Sequence, residues 1–448
     1  MPDRGPQPDV RRPAAGPSLG EIEVPDVFKG ADDDPPPFRE RRSRRDRRAR
    51  RGRDTPMAIT GVGAVTGYGW GRKQIWDGFR LGESAVRLVS DFSEFVPGGS
   101  AYAAVIRGSD EGTTGPSRYT RALRFAAREA IADARERGWR PGPVVGIVHS
   151  MVLGDVEMWR DFYRFEGKRT SPRRWVQLMP STVITMVMKE NGFNGPVLAV
   201  SAMCSSGNAG LLTAKSWLDN NIATDVLLLA TDLSGIAENL RWFADLGVAV
   251  LDRPPLDACR PFQEGSRGFV GGEAAVAMVL STCEEGSYAS VLGGAMTHDG
   301  YHAISIAPDH AQVRRAFADA LANSGIDPAE VAYVNAHGPG TAQCDAAEGE
   351  IFDELFPDAH GIYSMKPLTG HCQAAAGAVE LLATLYSHES GTIPAPPRVA
   401  PGHPRLLDGP TPRQPGLTVK SSLGMGGLNA VVVVSEPGME HPRRRAST

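Results

Sequence analysis

The chain has 448 residues, 41% of them apolar and 22% charged, with a formal net charge of −4. That is enough apolar material for a large core, and the weak negative balance argues against nucleic acid as the main partner of the folded part. The five cysteines are odd in number and form no C-x-x-C pair, a spacing that suits neither a zinc site nor a disulfide framework and reads as reduced thiols in a cytoplasmic protein; no apolar run of membrane-spanning length and no apolar signal core is present.

Residues 1–56 stand apart. They contain "DDDPPP" and then "RERRSRRDRRARRGR", with too few apolar side chains for a core. They read as a disordered basic tail, or as sequence ahead of the true start at Met57. The arginine run is the one feature there that would draw an acidic partner or RNA.

From Ala58 onward strands alternate with helices. "AITGVGAVT" is a buried strand entering a glycine-rich turn, and "RALRFAAREAIADARERG" has helical periodicity closed by Gly138. "VVGIVHS" is a strand, "STVITMVMKENG" a helix and "PVLAVSAM" a strand that stops at Cys204. A helix to Asn220-Asn221 follows, then the strand "DVLLLATD". "EAAVAMVLST" and "SYASVLGGAMT" are consecutive strands, so the sheet need not be parallel throughout. The pattern then repeats: helix "AQVRRAFADALANSG", strand "VAYVNAHG", helix "DAAEGEIFDELF", helix "AAGAVELLATLYSHES" and the closing strand "LNAVVVVSE". Such alternation predicts an α/β fold with buried sheets. A divide near residue 295 gives halves at 57–295 and 296–437, with a short tail at 438–448.

Four segments join reactive side chains to glycine-rich turns. In "VSAMCSSGNAG", Cys204 falls where a strand becomes a helix. Unpaired N–H groups and the helix dipole favour a thiolate there, although a lone cysteine can equally be buried and inert. Cys259, Cys283, Cys344 and Cys372 read as inert. In "VNAHGPGTAQCDAAE", His337 follows a strand, and Asp345 and Glu348 lie three apart on one helical face. In "SMKPLTGHCQAAAGAVE", Lys366 precedes His371 by five residues, and His371 precedes an alanine-rich helix that favours a neutral imidazole. In "SSLGMGGLNA", glycines around Met425 let backbone N–H groups approach a ligand, as an oxyanion hole requires. A cysteine, two histidines, a lysine and a glycine loop together suit acyl transfer through a thioester. No metal site is indicated.

In combination these motifs resemble the β-ketoacyl-acyl-carrier-protein synthases of the elongating type, within the thiolase-like superfamily. The resemblance runs from about Ile59 to Ser435, through "AHG.GT", "K..TGH...AAGA.E" and "G.GG.NA", with support from "ITGVGAVT", "CRPF" and "RGFVGGE". It implies a five-layer αβαβα fold of two fused halves, and a dimer, with itself or with a second synthase-like subunit. It implies that Cys204 accepts an acyl chain from the phosphopantetheine arm of an acyl carrier protein, with no resident cofactor. His337 and His371 would assist decarboxylation of the malonyl carrier. Lys366 would hold the electrostatics around them, paired with Glu348 and supported by Asp345. The N–H groups of Cys204 and Met425 would form the oxyanion hole.

Departures from the pattern touch the substrate. Pro339 replaces the first threonine of the usual "HGTGT", and Thr341 keeps the second, whose hydroxyl would bond a pantetheine amide. Met425 stands where a gatekeeper phenylalanine is usual, and Met203 replaces a smaller residue beside the nucleophile. They point to a specialised synthase, such as a type II polyketide or other secondary-metabolite enzyme. The competing reading is a non-catalytic partner subunit of the chain-length-factor kind, although such partners generally lack the cysteine. A thiolase would need a second late cysteine, which "SSLGMGGLNA" lacks.

Overall fold

A computed structural model describes residues 55–439, apart from 91, 93–95, 110–111 and 167–170. The basic tail up to residue 54 and the end of the chain from 440 lie outside the described residues. Its main sheet takes ten strands in line: β1 Met57–Thr66, β2 Val145–Ser150, β3 Val197–Val200, β4 Asp225–Asp232, β5 Ala274–Ser281, β6 Ala289–His298, β7 Val331–Asn335, β8 Gly361–Tyr363, β9 Leu417–Gly424 and β10 Leu428–Ser435. A short strand, Gly69–Trp70, pairs with the end of β1.

The spatial order is β8-β7-β9-β10-β6-β1-β5-β4-β2-β3. β2 pairs parallel with β3 and β4, while β5 pairs antiparallel with β4 and β1. The other half repeats this: β7 is parallel to β8 and β9, while β10 is antiparallel to β9 and β6. Each half is therefore one five-strand unit with the same order and direction. The units join where β1 and β6 pair antiparallel, Met57 opposite Val291. The expected divide near residue 295 falls inside β6, and the repeat changes over in the turn between Ser281 and Ala289.

Six helices set the layers: α1 Arg118–Glu136, α2 Pro180–Asn191, α3 Ser206–Asp219, α4 Ala311–Ser324, α5 Ala342–Leu355 and α6 Ala376–Ser390. α3 and α6 pack against each other and against strands of both halves, while α1 covers one outer face and α4 the other. The result is the five-layer αβαβα arrangement. Its central position explains the uninterrupted apolar run "DVLLLATD": β4 is buried along its whole length, because layers cover both of its faces.

The outer helix α1 reads differently. Ala122, Leu123, Ala126, Ala127, Ala130, Ile131 and Ala134 are buried at helical spacing, and Ser117 caps the start by accepting the Thr120 N–H. Alanines face glycines here. A Cβ on Gly63 would stand 2.1 Å from the Ala126 carbonyl, so β1 and α1 touch backbone to backbone.

The same device brings the two central helices together. A Cβ on Gly207 of α3 would lie 2.9 Å from the Ala378 nitrogen of α6, and one on Gly377 would lie 2.8 Å from Asn208 Oδ1. Both glycines sit near the N-terminal ends of their helices. The close crossing therefore joins the turn before α3 to the turn before α6, and those turns carry Cys204 and His371.

Among the described residues no helix is long and apolar enough to cross a membrane.

Candidate active site

Cys204 lies in the tight turn between β3 and α3. Met203 takes the left-handed conformation with φ of 49°, a strained backbone for a side chain of its size. Ser206 holds the strain: its hydroxyl accepts the Ala202 N–H at 2.8 Å and donates to the Met203 carbonyl at 2.7 Å. The Ser205 and Ser206 N–H groups bond to the carbonyls of Ala202 and Met203, so these donors serve the turn and not the thiol.

His371 follows the short helix Lys366–Thr369, which has proline in its first turn. Its backbone is pinned on both sides, by His371 N–H to Val270 O and Gly272 N–H to His371 O, and the Phe269 ring meets the imidazole edge-on at 4.7 Å. Its Nε2 then lies 3.2 Å from Cys204 Sγ. Gln373 adds a second contact, its Oε1 at 3.6 Å from the same sulfur. His371 Nδ1 is buried with no hydrogen-bond partner among the described residues.

His337 leaves the end of β7 beside His371, with ring centroids 5.5 Å apart. Glu348, on α5, accepts the His337 N–H at 2.9 Å and the Gly338 N–H at 2.7 Å, and Ser421 donates to it as well. Lys366 Nζ reaches His337 Nδ1 at 3.2 Å and also donates to the His337 carbonyl. An ammonium only donates, so Nδ1 accepts and the remaining hydrogen sits on Nε2.

The expected pairing of Lys366 with Glu348 is not found. Lys366 pairs with Glu380 on α6, and so does Lys420 on β9, 2.7 Å from Glu380 Oε2. Glu348 instead accepts two backbone N–H groups and the Ser421 hydroxyl. Asp345 braces the loop by accepting the Phe262 and Gly340 N–H groups at 2.8 and 3.1 Å.

The titration states follow from burial. The Cys204 thiol is pushed up to about 11, because burial outweighs the Lys366 charge and the Met425 N–H that favour the anion. The thiolate expected from the helix terminus is therefore not the resting form. Burial, then the charge of Lys366, drives His337 and His371 well below the usual imidazole range, so both rest neutral. Burial also raises Asp345 to about 7 and lifts Glu348. A neutral thiol thus faces a neutral imidazole.

These groups open onto a cavity of about 340 Å³. Cys204, His337, His371, Gln373, Thr341, Pro339 and Met425 line it, with apolar walls from Phe243, Val248, Phe269 and Ile306. Met425 lines the cavity beside Cys204, and its N–H favours the anionic form of the thiol. Met203 is not among the lining residues; its contribution is the backbone turn. Cys344 does line the cavity, a placement that its surroundings in sequence did not reveal.

Sequence reasoning also passed over Glu380, Lys420 and Gln373. The first two had a signal: each is a lone charge inside an apolar element, "AAGAVELLATL" and "LTVKSSLG". Such a charge demands a buried partner.

The description "Beta-ketoacyl synthase, N-terminal domain" matches residues 54–286, and "Beta-ketoacyl synthase, C-terminal domain" matches residues 288–399. The chain belongs to the β-ketoacyl synthase family. It is an acyltransferase that forms carbon–carbon bonds by condensation in fatty-acid or polyketide biosynthesis. Nodulation protein E of Rhizobium meliloti (strain 1021) is 28% identical over 407 residues, 86% of this synthase and 100% of that protein. The 3-oxoacyl-[acyl-carrier-protein] synthase 2 of Staphylococcus aureus (strain COL) is 27% identical, over 84% of this chain and 97% of its own. Among solved structures, the ishigamide ketosynthase/chain length factor superposes with a TM-score of 0.75 at 20% identity, covering 86% of this chain and 100% of that one. A type II polyketide acyl-carrier protein in complex with its ketosynthase bound to the hexaketide gives 0.73 at 23%, again over 86% and 100%. A β-ketoacyl synthase from Burkholderia phymatum STM815 gives 0.73 at 24%, over 85% and 99%.

Proposed function

We propose that Cys204 is the acyl-accepting nucleophile, and that His371, His337 and Lys366 serve the two half-reactions. The observation that carries this is the 3.2 Å contact between Cys204 Sγ and His371 Nε2 on a substrate-sized cavity.

In the first half-reaction the sulfur attacks the carbonyl of an acyl thioester. Its proton passes to His371 Nε2, and the developing oxyanion takes the N–H groups of Cys204 and Met425. The departing phosphopantetheine thiolate of the carrier protein receives the proton. In the second, a malonyl thioester loses carbon dioxide. The electron pair of the broken C–C bond becomes an enolate, whose oxygen accepts from the Nε2–H of His337. The carbanion then attacks the acyl-Cys204 carbonyl and expels the thiolate, giving a β-ketoacyl thioester two carbons longer.

The protein's partners would be an acyl carrier protein and a second subunit, a copy of this chain or a related one. The sheet ends on β3, where Val197 and Leu198 are 48% and 45% exposed. An apolar edge strand with free backbone groups needs a cover. Pro339 and Met425 favour a specialised acyl chain over a housekeeping one. The chain-length-factor reading is the weaker one, because the nucleophile, both histidines and Lys366 converge here. We place the two domains as the halves joined at the β1–β6 seam.

Intact-mass analysis with a panel of acyl-carrier thioesters and malonyl carrier tests these roles. Acylation should map to Cys204 and vanish in Cys204→Ala, and condensation retained by that variant would overturn the assignment.

A further inference from the structure

Lys420 has no part in the scheme above, yet it is fully buried within β9, in the catalytic cluster. Its ammonium lies 2.7 Å from Glu380 Oε2, off the line of a good hydrogen bond, and donates to the Ser421 carbonyl. Lys366 holds the other oxygen of the same carboxylate. One buried anion is thus shared by two buried cations.

Lysine has three hydrogens to give. Those of Lys366 are all spoken for: Glu380 Oε1, the His337 carbonyl and His337 Nδ1. That distribution holds only while the charge on Glu380 Oε2 is balanced by another cation, and Lys420 at 2.7 Å is that cation. Without Lys420, Oε2 is an uncompensated carboxylate oxygen in a dry core, and Lys366, already on Oε1, is a cation at hand. Turning toward it would cost Lys366 its contact with His337 Nδ1.

We propose that Lys420 is a positioning residue of the condensation reaction: by taking half of Glu380 it leaves Lys366 a hydrogen for His337, and so fixes the His337 tautomer that points Nε2–H at the substrate. The proposal rests on the roles given above to His337 and Lys366.

Charge acts in the same direction. Around the two imidazoles stand Lys366, Lys420 and Glu380, with Glu348 on the His337 N–H and the Cys204 thiol against His371 Nε2. Both lysines disfavour protonation of His337 and His371, after burial itself. The amine is itself drawn below its usual range by burial and by Lys366, against the pull of Glu380. A purely structural role would not need a charge at this position: an apolar side chain fills the middle of a buried strand at lower cost.

Two variants separate the effects. Lys420→Gln keeps a donor for Glu380 but removes the charge, while Lys420→Met removes both. With malonyl-carrier protein as probe, Lys420→Met should lower kcat for carbon dioxide release by about tenfold to a hundredfold with little change in KM, as expected for a misplaced catalytic group. Lys420→Gln should recover part of that rate. In both, the acid limb of the pH–rate profile should move to higher pH, by about one unit. The sign follows from neutral imidazole being the working form: removing a neighbouring cation makes protonation easier, so activity fails earlier as pH falls. A profile in Lys420→Gln that overlays the unmutated enzyme, with only thermal stability altered, overturns the proposal. Histidine-selective NMR titration of the unmutated protein and Lys420→Gln needs no substrate. Absence of carbon dioxide release by the unmutated enzyme would overturn the roles assigned above, while unmoved His337 and His371 titrations would overturn the part given to Lys420.

Discussion

Substituting Gly207 by alanine tests whether the crossing of α3 and α6 sets the catalytic distance. The new Cβ would stand 2.9 Å from the Ala378 nitrogen and 3.3 Å from the Gly377 Cα, both backbone atoms that cannot rotate away. Restoring an ordinary contact moves α6 by about half an ångström, an overpacking strain of about 1–3 kcal/mol. The shift acts at the helix starts, so the 3.2 Å Cys204–His371 contact should open to about 3.7 Å. Acyl loading of Cys204 should slow by about tenfold or more, and the thermal midpoint should fall. Gly349→Ala provides the control: it lies within α5, its nearest neighbour would be His403 Cδ2 at 4.0 Å, and it should stabilise by about 0.5–1 kcal/mol. Loading is followed by intact mass, and stability by thermal melting. Unchanged loading in Gly207→Ala alongside a lowered melting point would show that the crossing supports the fold but not the reaction geometry.

Further outcomes follow from the same geometry. Alkylation of Cys204 by iodoacetamide should be slow at neutral pH and rise toward a midpoint near 11, because the raised thiol yields its anion only in base; a midpoint below 8 would contradict the neutral pair. Met425→Phe places a rigid ring on the cavity wall, so the acyl panel should shift toward shorter chains, read by intact mass. Leu198→Lys puts a charge on the exposed β3 edge and should lower the assembly state seen by analytical ultracentrifugation; an unchanged mass would move the partner surface elsewhere.

The element order was legible from periodicity because layers on both faces impose continuous apolar runs, as in "DVLLLATD" and "AVVVVS". The changeover between halves was misplaced because β5 and β6 are both apolar, and their boundary is only a turn. At the site, Cys204, His337, Lys366 and His371 were each visible beside a glycine-rich turn, and the structure brings them together. The state of the thiol was not visible. A helix start argues for an anion, and only the fold shows that Ala202 and Met203 occupy the first donors while burial opposes charge. The lysine's partner was misread for a related reason. Glu348 stands on a suitable helical face, but it accepts the His337 and Gly338 N–H groups, which no spacing reveals, while Glu380 lies in an apolar helix that hides its role.

The repeat of the five-strand unit bears on the site in one more way. The operation that carries β1 onto β6 also carries β3 onto β8, and so carries the turn bearing Cys204 onto the segment leading to His371. A duplicated architecture could house two equal centres. Among the described residues this one joins its halves where α3 crosses α6: one copy supplies the sulfur and the other the imidazole. Each half on its own therefore holds only one member of the Cys204–His371 contact.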